Sequence, residues 1–346
     1  MTRRTFLKQS IGGAALVSVA SPAVAQSATT LRLLTTDEQA ASTLADLIST
    51  TTGGAMTVET TVVPIAEAET LLDRVASGDA DMCLSSLDRF LAKNLAFGLF
   101  ASMPFGMSTS ELEGWVHASD GADMLSILGE ENGVSFHFAG DTGTKPMWSK
   151  QPLTDVASLQ GLAVGSTGLC SVNLQQIGVQ SVADLHDAAT DLSSLDVIDG
   201  LSVADMEQSG LLGEFTHATL ANPNTPSGVL TLAISNGAFG GLTETEQLLL
   251  QRACSASLAI GRARRFHDHA TAMAALGGAV TVSDLPEDIW RALSDGAQSV
   301  LTAIFEEGGT QATIVDAYVY FITDIATWSE IGEAAFFTGR KRLNSL

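Results

Sequence analysis

Apolar positions along this chain follow two alternating rhythms. Leu31 to Leu34 form a short apolar run, Glu38 to Ser49 repeats apolar residues every three or four positions, and Met56 to Val63 is again short and rich in β-branched residues. Those periods predict strand, helix, strand. A further helix, with Leu71, Leu72 and Val75 on one face, ends at Gly78 before the apolar strand Met82 to Leu84. The resulting β-α-β-α-β order predicts a parallel sheet covered by helices. Ligands of such sheets sit beyond the carboxyl ends of the strands, which makes the loop Ser85 to Phe90 a cleft candidate on topology alone.

A second β/α set begins after the strand Val134 to Ala139, with short strands near Leu162 to Val164 and at Val197-Ile198, and helices over Leu169 to Ile177 and Ala183 to Ala189. The restart marks a second domain. Ser227 to Ile234 fits a strand crossing between the two sheets. Thr243-Glu-Thr-Glu246 is a capping box, and apolar residues then recur from Leu249 to Met273 in steps of three and four. A helix to about Leu276 would be roughly 50 Å long at 1.5 Å per residue, longer than one small domain. Beyond Pro286, the segments to Glu307 and from Gln311 to Trp328 read as helices, and the chain closes with Arg340-Lys-Arg342.

Composition narrows the compartment and the partners. Thr2-Arg-Arg-Thr-Phe-Leu-Lys8 precedes an apolar run near Ile11 to Ala20 and a small-residue site at Ala23-Val24-Ala25. This is the pattern of a twin-arginine export signal over residues 1–25. Its apolar run is about half of the ~20 residues that a membrane span needs, so cleaved export to the periplasm is expected rather than anchoring. The chain holds 17 Lys or Arg and 39 Asp or Glu. Loss of Arg3, Arg4 and Lys8 with the leader leaves 14 basic residues against the same 39 acids, a net charge of −25. Such a surface repels nucleic acid and anionic lipid, and an anionic ligand has to be captured by local positive charge inside a cleft. Cys83, Cys170 and Cys254 lie far apart without a Cys-x-x-Cys pair, against a zinc ribbon or a thioredoxin-like site, and read as small buried hydrophobes.

The stretch Val75 to Trp115 is the most distinctive of the chain. Ser77, Gly78, Asp81 and Met82 form a turn into a strand, and Pro104, Phe105, Gly106 and Met107 lead to a helix bearing Glu111 and Trp115. Together with Gly140-Asp-Thr-Gly143, Leu159-Gln-Gly-Leu162 and Leu195-Asp-Val-Ile-Asp199, this spacing resembles the extracytoplasmic solute-binding subunits of TRAP transporters, the DctP type, and is similar to their α-keto acid-binding branch. The resemblance implies an α/β, two-lobed periplasmic binding protein fold with a long lobe-spanning helix. Lobe I would cover 26–150 and lobe II 151–235, with the spanning and C-terminal helices over 236–346. It implies a periplasmic receptor, not an enzyme, that delivers a small organic acid or related polar metabolite to TRAP membrane permease subunits. Relatives include monomers and dimers that exchange a C-terminal helix, and Tyr318-Val-Tyr-Phe321 fits either state. The rival is a degenerate binding-fold protein acting as a sensor or interaction module without transport.

The pocket positions depart from the family pattern. There, an Arg written Lys-Met-Arg after Leu-x-Gly-Leu holds a carboxylate; here Ala163-Val164-Gly165 puts a glycine at that place. The α-keto acid branch also holds sodium through a Gln and a Glu-Trp pair, where this chain has Lys145 and Ser202-Val203. Lys145 is therefore expected to supply the positive charge, with no metal and no cofactor. Removing one partner of a buried charge pair costs about 2–5 kcal/mol, so a site without the Arg needs a replacement. Arg89 is the second candidate, as a cleft cation or as a surface ion pair with Asp88, since Asp88-Arg89-Phe90 stands where the branch carries aromatic residues. Thr142 in the pocket turn, Trp148, Ser166, Ser202, Asn222 and Asn224 complete the candidate ligand contacts, with packing for Trp148 and turn-making for the two asparagines as the alternatives. Gly140 to Lys145 is not a phosphate loop, having two residues rather than four between its glycines. His267 and His269 fall on different helix faces, Arg262, Arg264 and Arg265 read as a solvated face, and no Gly-x-Ser-x-Gly elbow occurs.

Overall fold

The computed structural model describes residues 28–220, 222–276 and 278–343; the export leader expected over residues 1–25 lies outside the described residues. Strands β1 (Thr29–Thr35), β2 (Met56–Val62), β3 (Met82–Ser85), β4 (Val134–Asp141) and the much later β10 (Val229–Ser235) form one sheet, in the order β2-β1-β3-β10-β4. Strands β5 (Met147–Ser149), β6 (Ala163–Ser166), β7 (Ser181–Asp184), β8 (Val197–Asp199), β9 (His217–Leu220) and β11 (Thr281–Asp284) form a second, in the order β11-β9-β5-β8-β6-β7. Each sheet is the centre of a lobe. Helices α1 (Glu38–Thr51), α2 (Leu71–Ala76), α3 (Thr109–Ala118) and α4 (Gly121–Asn132) cover the first sheet; α5 (Val156–Gln160), α6 (Gly168–Gln176) and α7 (Val203–Ser209) belong to the second lobe. The chain continues through α8 (Asn236–Gly241), α9 (Glu244–Ala275), α10 (Glu287–Glu306), α11 (Gly309–Ser329) and α12 (Ala335–Leu343).

Two helices brace the lobes. The capping box of Thr243 and Glu246 opens α9, whose 32 residues span about 48 Å. Its Leu250 and Ala253 pack in the first lobe and its Ala272 in the second. In the opposite direction, α10 seats Ile289 and Leu293 in the second lobe and Val300 and Ile304 in the first. The Pro104–Met107 segment has a structural reason: a Cβ at Gly106 would lie 2.3 Å from the Tyr318 hydroxyl, which accepts from the Met107 amide at 3.0 Å. Trp115 is fully buried, stacked on Phe100 at 4.8 Å and edge-on to Tyr318 at 5.5 Å. Tyr318 thus serves packing, whereas Tyr320 is 74% exposed.

Three expectations differ from what is observed. Residues 183–189 are not helical: β7 runs through Ala183, and Asp184 and Asp187 then accept from the amides of His186 and Ala189 at 2.8 Å each. Those side chains compete with helix formation by closing Asx turns. The strand expected over Ser227 to Ile234 is β10, which lies wholly in the first sheet, antiparallel to both β3 and β4, so the crossing falls to the loop before it. Arg262, Arg264 and Arg265 are not a free solvated face, since they reach Glu113, Thr43 and Asp37 and so pin α9 to α3 and α1. All three cysteines are free and buried, and burial pushes each thiol up to about 12. No helix of the described residues is long and apolar enough to cross a membrane.

Candidate ligand site between the lobes

The carboxyl ends of β1, β3, β4 and β7 converge on the crevice between the lobes, around a cavity of about 370 Å³. Thr36 and Asp37 follow β1; Ser85, Ser86, Asp88 and Arg89 follow or end β3; Thr142 and Lys145 lie in the crossing after β4; His186 sits in the Asx turn after β7. A second cavity of about 250 Å³ shares Asp88, Arg89 and His186 as its wall. The strand-end rule therefore holds for both sheets at once.

Charge inside the crevice is mixed but organised. Burial lowers the Arg89 guanidinium, opposed by Asp88, Asp184 and Glu69, and it stays a cation at any physiological pH. Burial works against the charge of Asp88, but the facing His186, Lys145 and Arg89 outweigh it and hold this carboxyl below the usual range. Burial pushes His186 down to about 4 despite Asp88, so its ring is neutral near pH 7 and presents one donor and one acceptor. Thr142 fixes the turn ahead of Lys145: its amide donates to the Gly228 carbonyl at 2.9 Å and its hydroxyl accepts from the Gly228 amide at 3.0 Å.

Other candidates are drawn into packing or into a buried polar knot. Phe90 is 2% exposed and meets Phe97 edge-on, inside the first-lobe core. Trp148 is fully buried, its indole N–H donating to the Leu201 carbonyl at 2.9 Å. Ser202 is the N-cap of α7 in a capping box with Asp205, consistent with a helix-start role for that acid. Ser166, Asn222 and Asn224 gather around Asp199, which has no exposure to solvent. Its Oδ1 accepts from Asn222 Nδ2 at 2.5 Å and Thr225 Oγ1 at 2.7 Å, and its Oδ2 from Asn224 Nδ2 at 2.5 Å and Ser166 Oγ at 3.0 Å. Asn222 Nδ2 also reaches the Lys145 carbonyl at 3.2 Å, so this knot sets the backbone from which Lys145 projects. At Gly165 a Cβ would lie 2.5 Å from both Leu185 Cδ2 and Leu195 Cδ1, so two leucines occupy the space a larger side chain would need.

Asp37, Thr36 and His186 were not among the residues singled out by sequence reading. The strand-end rule, applied to β1 as it was to β3, points to Thr36 and Asp37; His186 escapes it, because residues 183–189 read as a helix and not as the end of a strand. Asp199 was legible only as part of a motif; nothing in one sequence marks it as the acceptor of four donors.

Two braced lobes, with ionic side chains at the facing strand ends, define a solute-binding receptor. Residues 27–308 match the bacterial extracellular solute-binding proteins, family 7 (DctP), and the chain belongs to that family. It is 22% identical over 291 residues to a monocarboxylate 2-oxoacid-binding periplasmic protein of a Nostoc species, covering 80% of this chain and 78% of the relative. A TRAP transporter solute-binding protein of Bordetella bronchiseptica, crystallised with calcium and picolinate, superposes with a TM-score of 0.83 at 19% identity, over 92% of this chain and 99% of that one. A TRAP periplasmic solute-binding protein of Pseudoalteromonas atlantica, with bound sodium and pyruvate, gives 0.82 at 18% identity over 90% and 99%. The two-lobed fold with its long spanning helix is thereby that of the TRAP binding proteins, and the family is extracytoplasmic.

Metal ions accompany the ligand in those two structures; here Asp37, Glu38, Asp88 and His186 line the cavity alongside Lys145. Lys145 contributes an ammonium to the cavity, and among the described residues no three His, Cys, Asp or Glu side chains converge as a donor set.

Proposed function

We propose that this receptor captures a small organic acid in the interlobe crevice, with Lys145 and Arg89 supplying the charge that holds the carboxylate, and hands it to a TRAP-type membrane permease. The observation that carries this reading is the pairing of two cations with a polar cavity of about 370 Å³ at the strand ends of both lobes. The names of the Nostoc, Bordetella and Pseudoalteromonas proteins, which bind 2-oxo acids, picolinate and pyruvate, support the ligand class. Binding is independent of sodium, because Lys145 takes the place of the metal. Closure of the lobes over the acid is what a membrane partner would read.

A thermal-shift screen against carboxylates and neutral metabolites tests this. At a hundredfold excess over Kd, a specific ligand adds about 2.7 kcal/mol. A rise confined to carboxylates supports the reading; silence across the library favours a degenerate binding fold. The exposed apolar side chains of Trp328, Ile331, Phe336 and Phe337 support a dimer that exchanges its C-terminal helix, which sedimentation at several concentrations would detect.

A further inference from the structure

The larger interlobe cavity is built almost wholly by one lobe. Apart from Thr142 and Lys145 in the crossing, every residue that lines it belongs to the first lobe except His186. His186 reaches it from the turn after β7, the edge strand of the second sheet, and also lines the smaller cavity. That turn is held in place. The Leu185 amide donates to the Ser166 carbonyl at 3.0 Å, Leu185 fills the space beside Gly165, and the Thr190 hydroxyl donates to the Asp184 carbonyl at 2.7 Å. The lobes meet here, since a Cβ at Gly168 of α6 would fall 2.9 Å from the Asp88 Cβ.

The imidazole on this turn is uncommitted. His186 donates its backbone amide to Asp184 Oδ1 at 2.8 Å, but its Nδ1 stands 3.8 Å from the same oxygen, beyond hydrogen-bonding distance. Among the described residues neither ring nitrogen has a hydrogen-bond partner. The side chain keeps 21% of its surface open, and its nitrogens are not sealed off as Asp88 Oδ1 is. Neutral near pH 7, the ring offers one donor and one acceptor to an occupant of the crevice.

A ligand shifts an open–closed equilibrium only through contacts that differ between the two states. Contacts to the first lobe exist whether the crevice is open or closed; a contact from the second lobe forms only on closure. We infer that His186 makes the closure-dependent contact: Lys145 and Arg89 seat the carboxylate, and the imidazole hydrogen-bonds to the acid's outward polar atoms as the second lobe closes over it. The inference rests on the organic-acid reading above and adds the residue through which binding drives closure.

Calorimetric titration and small-angle X-ray scattering of the mature protein test this, with pyruvate, lactate, 2-oxoglutarate and succinate as probes. The wild-type protein is expected to contract on binding. His186→Ala and His186→Leu are expected to bind about 10- to 100-fold more weakly and, at saturating probe, to keep the radius of gyration of the ligand-free protein. His186→Gln, which retains a donor and an acceptor, is expected to recover most of the affinity and the contraction. A second measurement needs no variant: the ring nitrogen resonances of His186 in the wild-type protein are expected to shift on binding, and resonances unmoved at saturation overturn the inference. Folded His186→Ala that contracts like the wild type, or binds within about threefold of it, overturns it and leaves the organic-acid reading standing. So does His186→Gln that is as weak as His186→Ala, or wild-type binding without contraction. Binding of none of the four probes by the wild-type protein overturns both.

Discussion

Replacing Asp199 with Asn tests whether the polar knot under the crevice is structural. The carboxylate is fully buried and accepts from Asn222, Thr225, Asn224 and Ser166, between 2.5 and 3.0 Å. Asn keeps the shape but turns one acceptor oxygen into an NH2 facing two donors. Two charge-assisted hydrogen bonds are lost, at about 1.5–3 kcal/mol each. The expected destabilisation is therefore about 3–6 kcal/mol, a large part of the 5–15 kcal/mol typical of a folded domain. Rotation of the Thr225 and Ser166 hydroxyls recovers little, since the two asparagine amides can only donate from the nitrogen that faces Asp199. Urea denaturation followed by tryptophan fluorescence measures the change, with Trp148 reporting from the second lobe beside Leu201. An unchanged m-value would locate the effect in stability rather than in the extent of unfolding. A loss below about 1 kcal/mol would refute the assignment of Ser166, Asn222 and Asn224 to this network.

Gly296→Ala should destabilise the protein by about 1–2 kcal/mol in the same assay, although alanine is favoured by about 1 kcal/mol in a helix interior. Its Cβ would lie 2.2 Å from Asn173 Oδ1, whose Nδ2 is tied to Asn224 and to the Leu293 carbonyl; a gain in stability would mean that α6 and α10 are less closely joined than described. Burial pushes His137 down to about 4 from 6.5, so the unfolded chain binds the proton more tightly and stability falls as pH drops from 6.5 to 4. His137→Gln should remove about 3 kcal/mol of that acid sensitivity, and parallel stability–pH curves for the two proteins would contradict it. Lys145→Ala should weaken organic-acid binding by roughly 30-fold or more, whereas exchanging sodium for potassium should change nothing; a sodium requirement in titration calorimetry would count against the ammonium as the replacement for metal.

Much of the scaffold is readable from residue order because its signals are local. The capping box at Thr243 and the three-and-four spacing that follows specify α9 without any tertiary information. Pro104–Met107 and Trp115 mark the family because they form one packed unit with Tyr318. The turn after β7 was hidden for a complementary reason: Ala183 to Ala189 has apolar residues at helical spacing, and only the Asx bonds of Asp184 and Asp187 divert it. Polar site residues are harder still. Ser166, Asn222 and Asn224 are polar residues on family pocket segments, as Lys145 is, and which of them faces a cavity depends on Asp199, brought to them by the second sheet. Trp148 and Phe90 show the same limit, since an aromatic residue beside a pocket turn has the same sequence context whether it faces solute or core.

A crystal structure of the protein with a tight-binding organic acid, identified by the thermal-shift screen, addresses the central claim most directly. The carboxylate is expected between the lobes, within hydrogen-bonding distance of Lys145 Nζ or the Arg89 guanidinium, without an intervening metal ion. A ligand lodged outside the crevice, or a carboxylate that touches neither cation, would contradict the account.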